Sequence, residues 1–252
     1  MQPSDDARAA LALRDPPAIE PIEGAIVRVV HVCASPPDPS LLVMLGGARA
    51  GGPAALRVLR HRLEARRAEG VWTLAVTSAR GGEGKTTLAA QLALVLGEAE
   101  RARVLLVEGS LERPALARLL GVDVPPGLGF SAQMARRMRG VAGPWGVLAL
   151  GNSIHALLEG PGEPGYPGAL HAPVFRRAID ELGAAYDWVI VDAPSVLGSG
   201  DANVIEEVVD GVIVVARSRR SRATELRAAM KQLGGRKAMG VVLWDGPRGA
   251  GS

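Results

Sequence analysis

A glycine-rich stretch at residues 79–87 has the residue types and spacing needed to bind phosphate groups. It reads Ala-Arg-Gly-Gly-Glu-Gly-Lys-Thr-Thr, follows an apolar segment of strand type and precedes a helical pattern. Glycines let backbone N–H groups converge on phosphate oxygens, and the start of a helix adds a partial positive charge. Lys85 would contact the β- and γ-phosphates, and the Thr86 hydroxyl would bind magnesium. The stretch therefore predicts a P-loop that binds ATP with Mg²⁺.

The expected nucleotide-binding residues form one continuous run: Arg80, Gly81, Gly82, Glu83, Gly84, Lys85, Thr86 and Thr87. The usual P-loop pattern has glycine at the position of Ala79, and alanine there costs little if its φ is negative. A glycine-rich turn without a ligand is the alternative interpretation. The lysine at the tip of the loop argues against that alternative.

A carboxylate on another strand would complete the magnesium site. Asp192 directly follows an apolar strand pattern at residues 188–191, and Pro194 prevents the strand from continuing. The side chain would then lie at the carboxyl edge of the sheet, where α/β proteins bind ligands. Magnesium prefers one or two carboxylates together with phosphate oxygens and water. We therefore expect Thr86 and Asp192 to be the metal ligands.

Short apolar segments alternate with helical patterns along the chain. The expected strands lie at residues 25–33, 72–77, 104–107, 146–150, 188–191, 212–216 and 239–243. The expected helices lie at residues 54–69, 85–96, 114–120, 174–182, 202–209 and 224–232. Strands this short, apolar on both faces and separated by helices, indicate a parallel sheet covered on both sides. The predicted fold class is α/β, a doubly wound, mostly parallel sheet of the P-loop NTPase type with an N-terminal extension.

The chain divides into three parts by composition. Residues 1–53 are expected to be a partly disordered N-terminal extension, residues 54–247 the P-loop ATPase or kinase-like domain, and residues 248–252 a short flexible tail. Within the domain, residues 121–172 are rich in proline and glycine and less regular. We interpret that segment as a surface insertion near the nucleotide.

Composition limits the function classes. Lys and Arg number 29 and Asp and Glu 26, so nucleic-acid binding is permitted but not indicated. The densest basic run, residues 217–222, holds four arginines and no aromatic residue, so we predict a solvated loop and no nucleic-acid partner. The single cysteine, Cys33, is consistent with a reducing, cytoplasmic compartment. No stretch reaches the roughly 18 apolar residues of a membrane span, so direct membrane insertion is not expected.

With these motifs placed, the chain resembles the bacterial tyrosine kinases of capsular and exopolysaccharide synthesis, which are related to partitioning and septum-positioning ATPases. The resemblance covers residues 54–243 and rests mainly on residues 76–87, 104–114 and 186–195. It implies an ATP-dependent tyrosine autokinase or weak ATPase. It also implies a membrane-embedded polysaccharide chain-length regulator as partner, a peripheral position at the inner membrane through that partner, and a homo-oligomer.

Departures from the family bear on activity. The resemblance assigns catalytic roles to Lys85, Glu108 and Asp192, with Glu108 as the base, but the family has Asp-x-Asp-x-Arg where this chain has Glu108, Ser110 and Glu112. We therefore expect weaker magnesium binding and slower phosphoryl transfer.

Two further departures concern assembly and the phosphoacceptor. Ala54 replaces the glutamate that the family uses for self-assembly, and the family's tyrosine-rich tail is absent. Two alternatives stay open: a catalytically degraded nucleotide-binding regulatory subunit, and a ParA/MinD-like positioning ATPase. Arg80 occupies the position of the lysine that positioning ATPases extend across their dimer.

Overall fold

The computed structural model describes residues 26–32, 52–98, 102–141, 143–151, 153–160 and 170–244. Residues 1–25 and 33–51 of the expected N-terminal extension, with Cys33, lie outside these residues, as do Tyr166 and the C-terminal tail.

The described residues form one sheet of eight strands. The strands are β1 (Val27–Val30), β2 (Thr73–Ser78), β3 (Val104–Glu108), β4 (Trp145–Ala149), β5 (Ile154–Leu157), β6 (Trp188–Asp192), β7 (Gly211–Arg217) and β8 (Ala238–Trp244). Their order across the sheet is β1-β4-β5-β3-β6-β2-β7-β8. Every neighbouring pair is parallel except β4 and β5. The predicted α/β fold with a mostly parallel sheet is confirmed.

Helices connect the strands and cover the sheet. They are α1 (Gly52–Arg67), α2 (Lys85–Gly97), α3 (Leu116–Leu120), α4 (Phe130–Met138), α5 (Ala172–Gly183), α6 (Asp201–Val208) and α7 (Ala223–Gln232). Successive residues of a strand point to opposite faces, so the sheet contributes to two separate cores. Leu74 and Val76 of β2 pack with α1, α2 and α3, whereas Ala75 packs in the core that includes α4, α5 and α6. This two-sided burial explains why the central strands are apolar along their whole length.

The segment expected to be a surface insertion, residues 121–172, is largely part of the core, so that prediction is wrong. It supplies β4, β5 and α4. Phe130 and Trp145 are fully buried, with ring centroids 6.3 Å apart, and Phe130 meets Phe175 of α5 edge-on at 6.2 Å. The strand predicted at residues 146–150 corresponds to β4, whereas the short β5 and the partly polar α4 did not show in the hydrophobic periodicity.

One segment of the N-terminal extension forms a strand of the sheet. β1 lies within residues 1–53 and pairs in parallel with β4, so this part of the extension belongs to the sheet.

No helix in the described ranges is long and apolar enough to cross a lipid bilayer.

Gly183, the last residue of α5, packs closely against Trp72, which directly precedes β2. A Cβ on Gly183 would lie 2.0 Å from Cζ3 and 2.1 Å from Cη2 of Trp72, so glycine is required for this approach. We expect Gly183→Ala to lower the free energy of unfolding by about 1–3 kcal/mol, as overpacking does, in urea denaturation. Gly200→Ala is the control, because a Cβ there meets nothing within 4 Å. Equal losses in both variants would contradict the packing.

Candidate functional site

The predicted phosphate loop lies between the end of β2 at Ser78 and the start of α2 at Lys85. Gly82 and Gly84 have φ values of 79° and 97°, in the left-handed region that glycine adopts without strain. The Ser78 hydroxyl donates to the carbonyl oxygen of Arg80 at 2.6 Å, which closes the first turn of the loop. The N–H groups at the start of α2 are therefore presented at the carboxyl edge of the sheet, the geometry that binds phosphate.

Strand register brings the acidic residues to this loop. Asp192 at the end of β6 is the register partner of Val76 in β2 on one side and of Glu108 in β3 on the other. Lys85 Nζ lies 4.0 Å from Asp192 Oδ1 and donates to Thr86 Oγ1 at 3.4 Å. The structure thus places the four predicted catalytic and metal-binding residues in one cluster.

The Asp192 carboxyl group is fully buried without a hydrogen-bond donor. Its exposed fraction is 0%, and neither side-chain oxygen accepts a hydrogen bond from the described residues. Burial raises the pKa of Asp192 to about 6, and the nearby Lys85 ammonium and the Thr86 hydroxyl, which lies close to the carboxyl group, oppose the rise. A buried carboxylate without hydrogen bonds is costly unless a ligand satisfies it.

Glu108 is equally buried but partly satisfied. Its Oε2 accepts N–H groups of Ala115 at 3.3 Å and Leu116 at 3.0 Å, while its Oε1 has no partner among the described residues. α3 begins at Leu116, two residues after Pro114, where the sequence predicted the helix to start, and Glu108 accepts N–H groups that the first turn leaves without helical partners. Burial, and then the neighbouring Asp192 charge, raise the pKa of Glu108 to about 8. Without a cation at the site, this carboxyl group is protonated at pH 7.

The cluster fits a magnesium ion bound together with phosphate groups. The unsatisfied oxygens of Asp192 and the Thr86 hydroxyl are hard oxygen donors of the kind Mg²⁺ takes. The described residues contain no group of three or more His, Cys, Asp or Glu that could hold a metal by itself. Mg²⁺ commonly takes several of its ligands from phosphate and water.

The second acidic motif consists of Glu108, Ser110 and Glu112, and its last two members differ in burial. Ser110 is nearly buried at 7% exposure, and its hydroxyl lies 3.5 Å from the carbonyl oxygen of Arg113, whereas Glu112 is exposed. Gly109, between Glu108 and Ser110, donates its N–H to the Asp192 carbonyl at 3.0 Å, and a Cβ on it would lie 2.8 Å from Val191 Cγ1. The glycine therefore allows β3 to end directly against the Asp192 backbone.

The prediction that residues 217–222 form a solvated loop is wrong for Arg217 and Ser221, which are partly buried, whereas Arg219, Arg220 and Arg222 are exposed. Arg217 Nη1 donates to the carbonyl oxygen of Gly82 at 3.4 Å, Arg220 lies against Gly82, and the Ser221 hydroxyl contacts Glu83. The signal was available in principle, because this loop follows β7, the neighbour of β2 in the sheet. Arginine spacing alone could not reveal it.

Other predicted residues pair within the chain. Arg80 Nε lies 3.3 Å from Glu225 Oε1 of α7. On α1, Ala54 is exposed, and Arg57 and Arg60 both reach Glu98 at the end of α2, at 3.2 and 3.3 Å.

Comparison with known proteins agrees with this geometry, although no family model matches the chain. The tyrosine-protein kinase YwqD of Bacillus subtilis is 29% identical over 160 residues, 63% of this chain and 65% of the relative. The tyrosine-protein kinase ptk of Acinetobacter johnsonii is 26% identical over 164 residues, 64% of this chain and 22% of the relative. The chain thus spans less than two thirds of the length of either relative.

Solved structures give the same relationship. The kinase domain of the Escherichia coli tyrosine kinase ETK superposes with a TM-score of 0.66 at 26% identity, covering 78% of this chain and 76% of that one. A ParA family ATPase from Chlorobium tepidum is similar in fold, with a TM-score of 0.52 at 19% identity over 68% of this chain and 73% of that one. The homologues are bacterial tyrosine-protein kinases, which confirms the resemblance predicted from the motifs.

The raised pKa of Glu108 predicts a pH dependence of stability. The folded protein holds a proton that the unfolded chain loses near pH 4.5, so the free energy of unfolding should fall as the pH rises from about 4.5 to about 8. We expect Glu108→Gln to be more stable than the wild type at pH 8, by on the order of 1 kcal/mol or more, and similar to it at pH 5. Denaturant unfolding without nucleotide measures this. Glu112→Gln, an exposed control, should show no such difference, and a pH-independent effect of Glu108→Gln would contradict the assignment.

Proposed function

We propose that this chain, whose homologues are bacterial tyrosine-protein kinases, is an ATP-dependent tyrosine kinase or weak ATPase of capsular or exopolysaccharide synthesis. The observation that carries the proposal is the buried Asp192 carboxyl group, which lacks hydrogen bonds and lies 4.0 Å from Lys85 beside a glycine-rich phosphate loop. Magnesium ATP would supply partners for the Asp192 oxygens and for the Lys85 ammonium.

Each residue of the cluster has a role in the proposal. The loop N–H groups of residues 81–87 and the Lys85 ammonium hold the phosphates, whereas the Arg80 N–H is taken by Glu83 Oε2. Thr86 and Asp192 hold magnesium. The ion, when bound, would neutralise phosphate charge and favour the ionised form of nearby carboxyl groups. Glu108, with its free Oε1, is the group that accepts the proton of the attacking hydroxyl once it is ionised.

Tyr186, the one tyrosine among the described residues, is poorly suited to be the phosphoacceptor. Tyr186 is 6% exposed, and its hydroxyl makes a 2.7 Å hydrogen bond with His155 Nδ1. Burial raises its pKa, so it is a poor nucleophile in the folded protein. We therefore propose that phosphate is transferred to Tyr166 or to a tyrosine of another protein. A membrane-embedded chain-length regulator is the partner that the homology suggests, which would place the chain at the inner membrane.

Two observations bear on assembly. Arg57 and Arg60 already share Glu98 of their own chain, and Ala54 offers no carboxylate to another copy. Self-association through α1 is therefore weakened in the proposal. Arg80 pairs with Glu225 of the same chain, which favours the kinase over an ATPase that dimerises through this position.

A second candidate, nucleotide binding without transfer, is favoured by one observation. Ser110 stands where a second carboxylate would assist magnesium, and Glu108 is engaged by the N–H groups that precede α3. The two candidates share the same residues, 54–247, as the nucleotide-binding domain and differ only in the rate of the chemical step.

Phosphoryl transfer is tested by incubating the purified chain and a tyrosine-containing acceptor peptide with ATP and Mg²⁺ or Mn²⁺. We expect label on tyrosine by anti-phosphotyrosine blot and a loss of at least about 100-fold in Lys85→Met, because the phosphate-binding ammonium is removed. Lys231→Met is the matched control, since Lys231 is exposed at the end of α7. Tight nucleotide binding with no label in the wild type would favour the regulatory candidate.

The second acidic motif gives a separate test of activity. Ser110→Asp restores a carboxylate beside the magnesium position, so we expect ATP turnover at saturating Mg²⁺ to rise severalfold. Asparagine has nearly the same shape as aspartate but no charge, so Ser110→Asn should leave turnover near the wild-type value. If neither variant changes a wild-type rate that is already high, Ser110 does not limit the reaction.

A further inference from the structure

Residues 217–222, here named the arginine loop, join β7 to α7 and pack on the phosphate loop. Arg217 Nη1 donates to the carbonyl oxygen of Gly82 at 3.4 Å. Arg220 approaches the same glycine so closely that a Cβ there would lie 3.1 Å from Nη2 and 3.3 Å from Cζ. The absence of a side chain at Gly82 therefore leaves room for a guanidinium group at the phosphate loop.

A buried carboxylate ties the two loops together. Glu83 is 2% exposed, and its Oε2 accepts the Arg80 N–H at 2.8 Å while its Oε1 accepts the Ser221 hydroxyl. Ser221 Oγ in turn accepts the Arg217 N–H at 2.7 Å. Because Glu83 lies inside the phosphate loop, the position of the arginine loop is fixed relative to the phosphate-binding N–H groups.

The arginine loop also carries backbone strain. Arg219 has a φ of 63°, and it is the one non-glycine residue with a positive φ in the ranges that the structure describes. Such conformations are unfavourable for a residue with a side chain, and they persist where surrounding contacts impose them. Here the contacts on either side of Arg219, through Arg217 and through Ser221, impose it.

Arg217 and Arg220 have no carboxylate partner among the described residues. Among the ion pairs that the described residues form, none includes Arg217 or Arg220. Two guanidinium groups without carboxylate partners beside a phosphate cradle form an anion site, since the planar guanidinium group matches phosphate oxygens in paired hydrogen bonds.

We propose that Arg220 binds the phosphate chain of the nucleotide, with Arg217 and the Ser221–Glu83 contact holding it at Gly82. Arg220 is then a second cation at the site, on the β7 side of the phosphate loop, opposite the Asp192 side. This inference rests on the proposed function, because it requires that the phosphate loop binds nucleotide.

The test is the affinity of the whole chain for MgATP, MgADP and AMP, measured by titration calorimetry. We expect Arg220→Ala to weaken MgATP binding roughly 10- to 100-fold, as loss of a charged hydrogen bond does, and AMP binding the least. Arg220→Lys should recover part of the affinity, because it keeps the charge but loses the planar group. Arg222→Ala, an exposed neighbour without a phosphate-loop contact, should stay within about twofold of the wild type.

The outcomes separate this inference from the proposed function. Failure of the wild type to bind any of the nucleotides refutes both. Wild-type binding that Arg220→Ala leaves within twofold, or an equal loss in Arg222→Ala, refutes the inference alone. A loss as large for AMP as for MgATP also refutes it, because that result indicates a general disturbance of the site. The unfolding midpoint without nucleotide should be unchanged in Arg220→Ala, because Arg220 is exposed.

Discussion

The pairing of β6 with β2 on one side and β3 on the other determines where charge collects in this protein. It sets Asp192 beside Glu108 at the carboxyl edge of the sheet and brings the phosphate loop over both. Burial removes the hydration of both carboxyl groups and raises the pKa of each, and the Asp192 charge raises the pKa of Glu108 further. The fold tolerates this because Lys85 lies nearby and because the N–H groups of Ala115 and Leu116 satisfy one oxygen of Glu108. A cation and phosphate groups would satisfy the remainder.

The sequence predicted the parts of this arrangement that are local. The phosphate loop, the strand before Asp192 and the two-sided burial follow from short motifs and apolar runs, whose physics depends on neighbours in the chain. Contacts between distant segments could not be predicted in this way. Phe130 and Trp145 are 15 residues apart in an irregular stretch, and only the packed structure shows that both are core residues. The turn of Glu108 towards the start of α3 is another contact that spacing does not reveal.

The arginine loop is another segment whose contacts could not be predicted from its own sequence. Four arginines without aromatic residues are typical of a solvated segment, and Arg219 and Arg222 are indeed exposed. Arg217 and Ser221 nevertheless contact the phosphate loop, because β7 lies next to β2. A parallel sheet gathers the loops that follow adjacent strands at one edge, so strand order decides which of them share a site. Strand order is a property of the whole fold and not of any single segment.

The account depends on one claim: both oxygens of Asp192 at the end of β6, and Oε1 of Glu108 at the end of β3, gain partners when a magnesium nucleotide binds. Titration calorimetry of MgATP into the full chain at pH 7, repeated in buffers of different ionisation enthalpy, tests it most directly. The account predicts saturable binding that requires Mg²⁺, with proton release, since Glu108 is protonated at pH 7 before binding. No binding heat with ATP or ADP in any of these buffers, from protein shown to be folded, would contradict it.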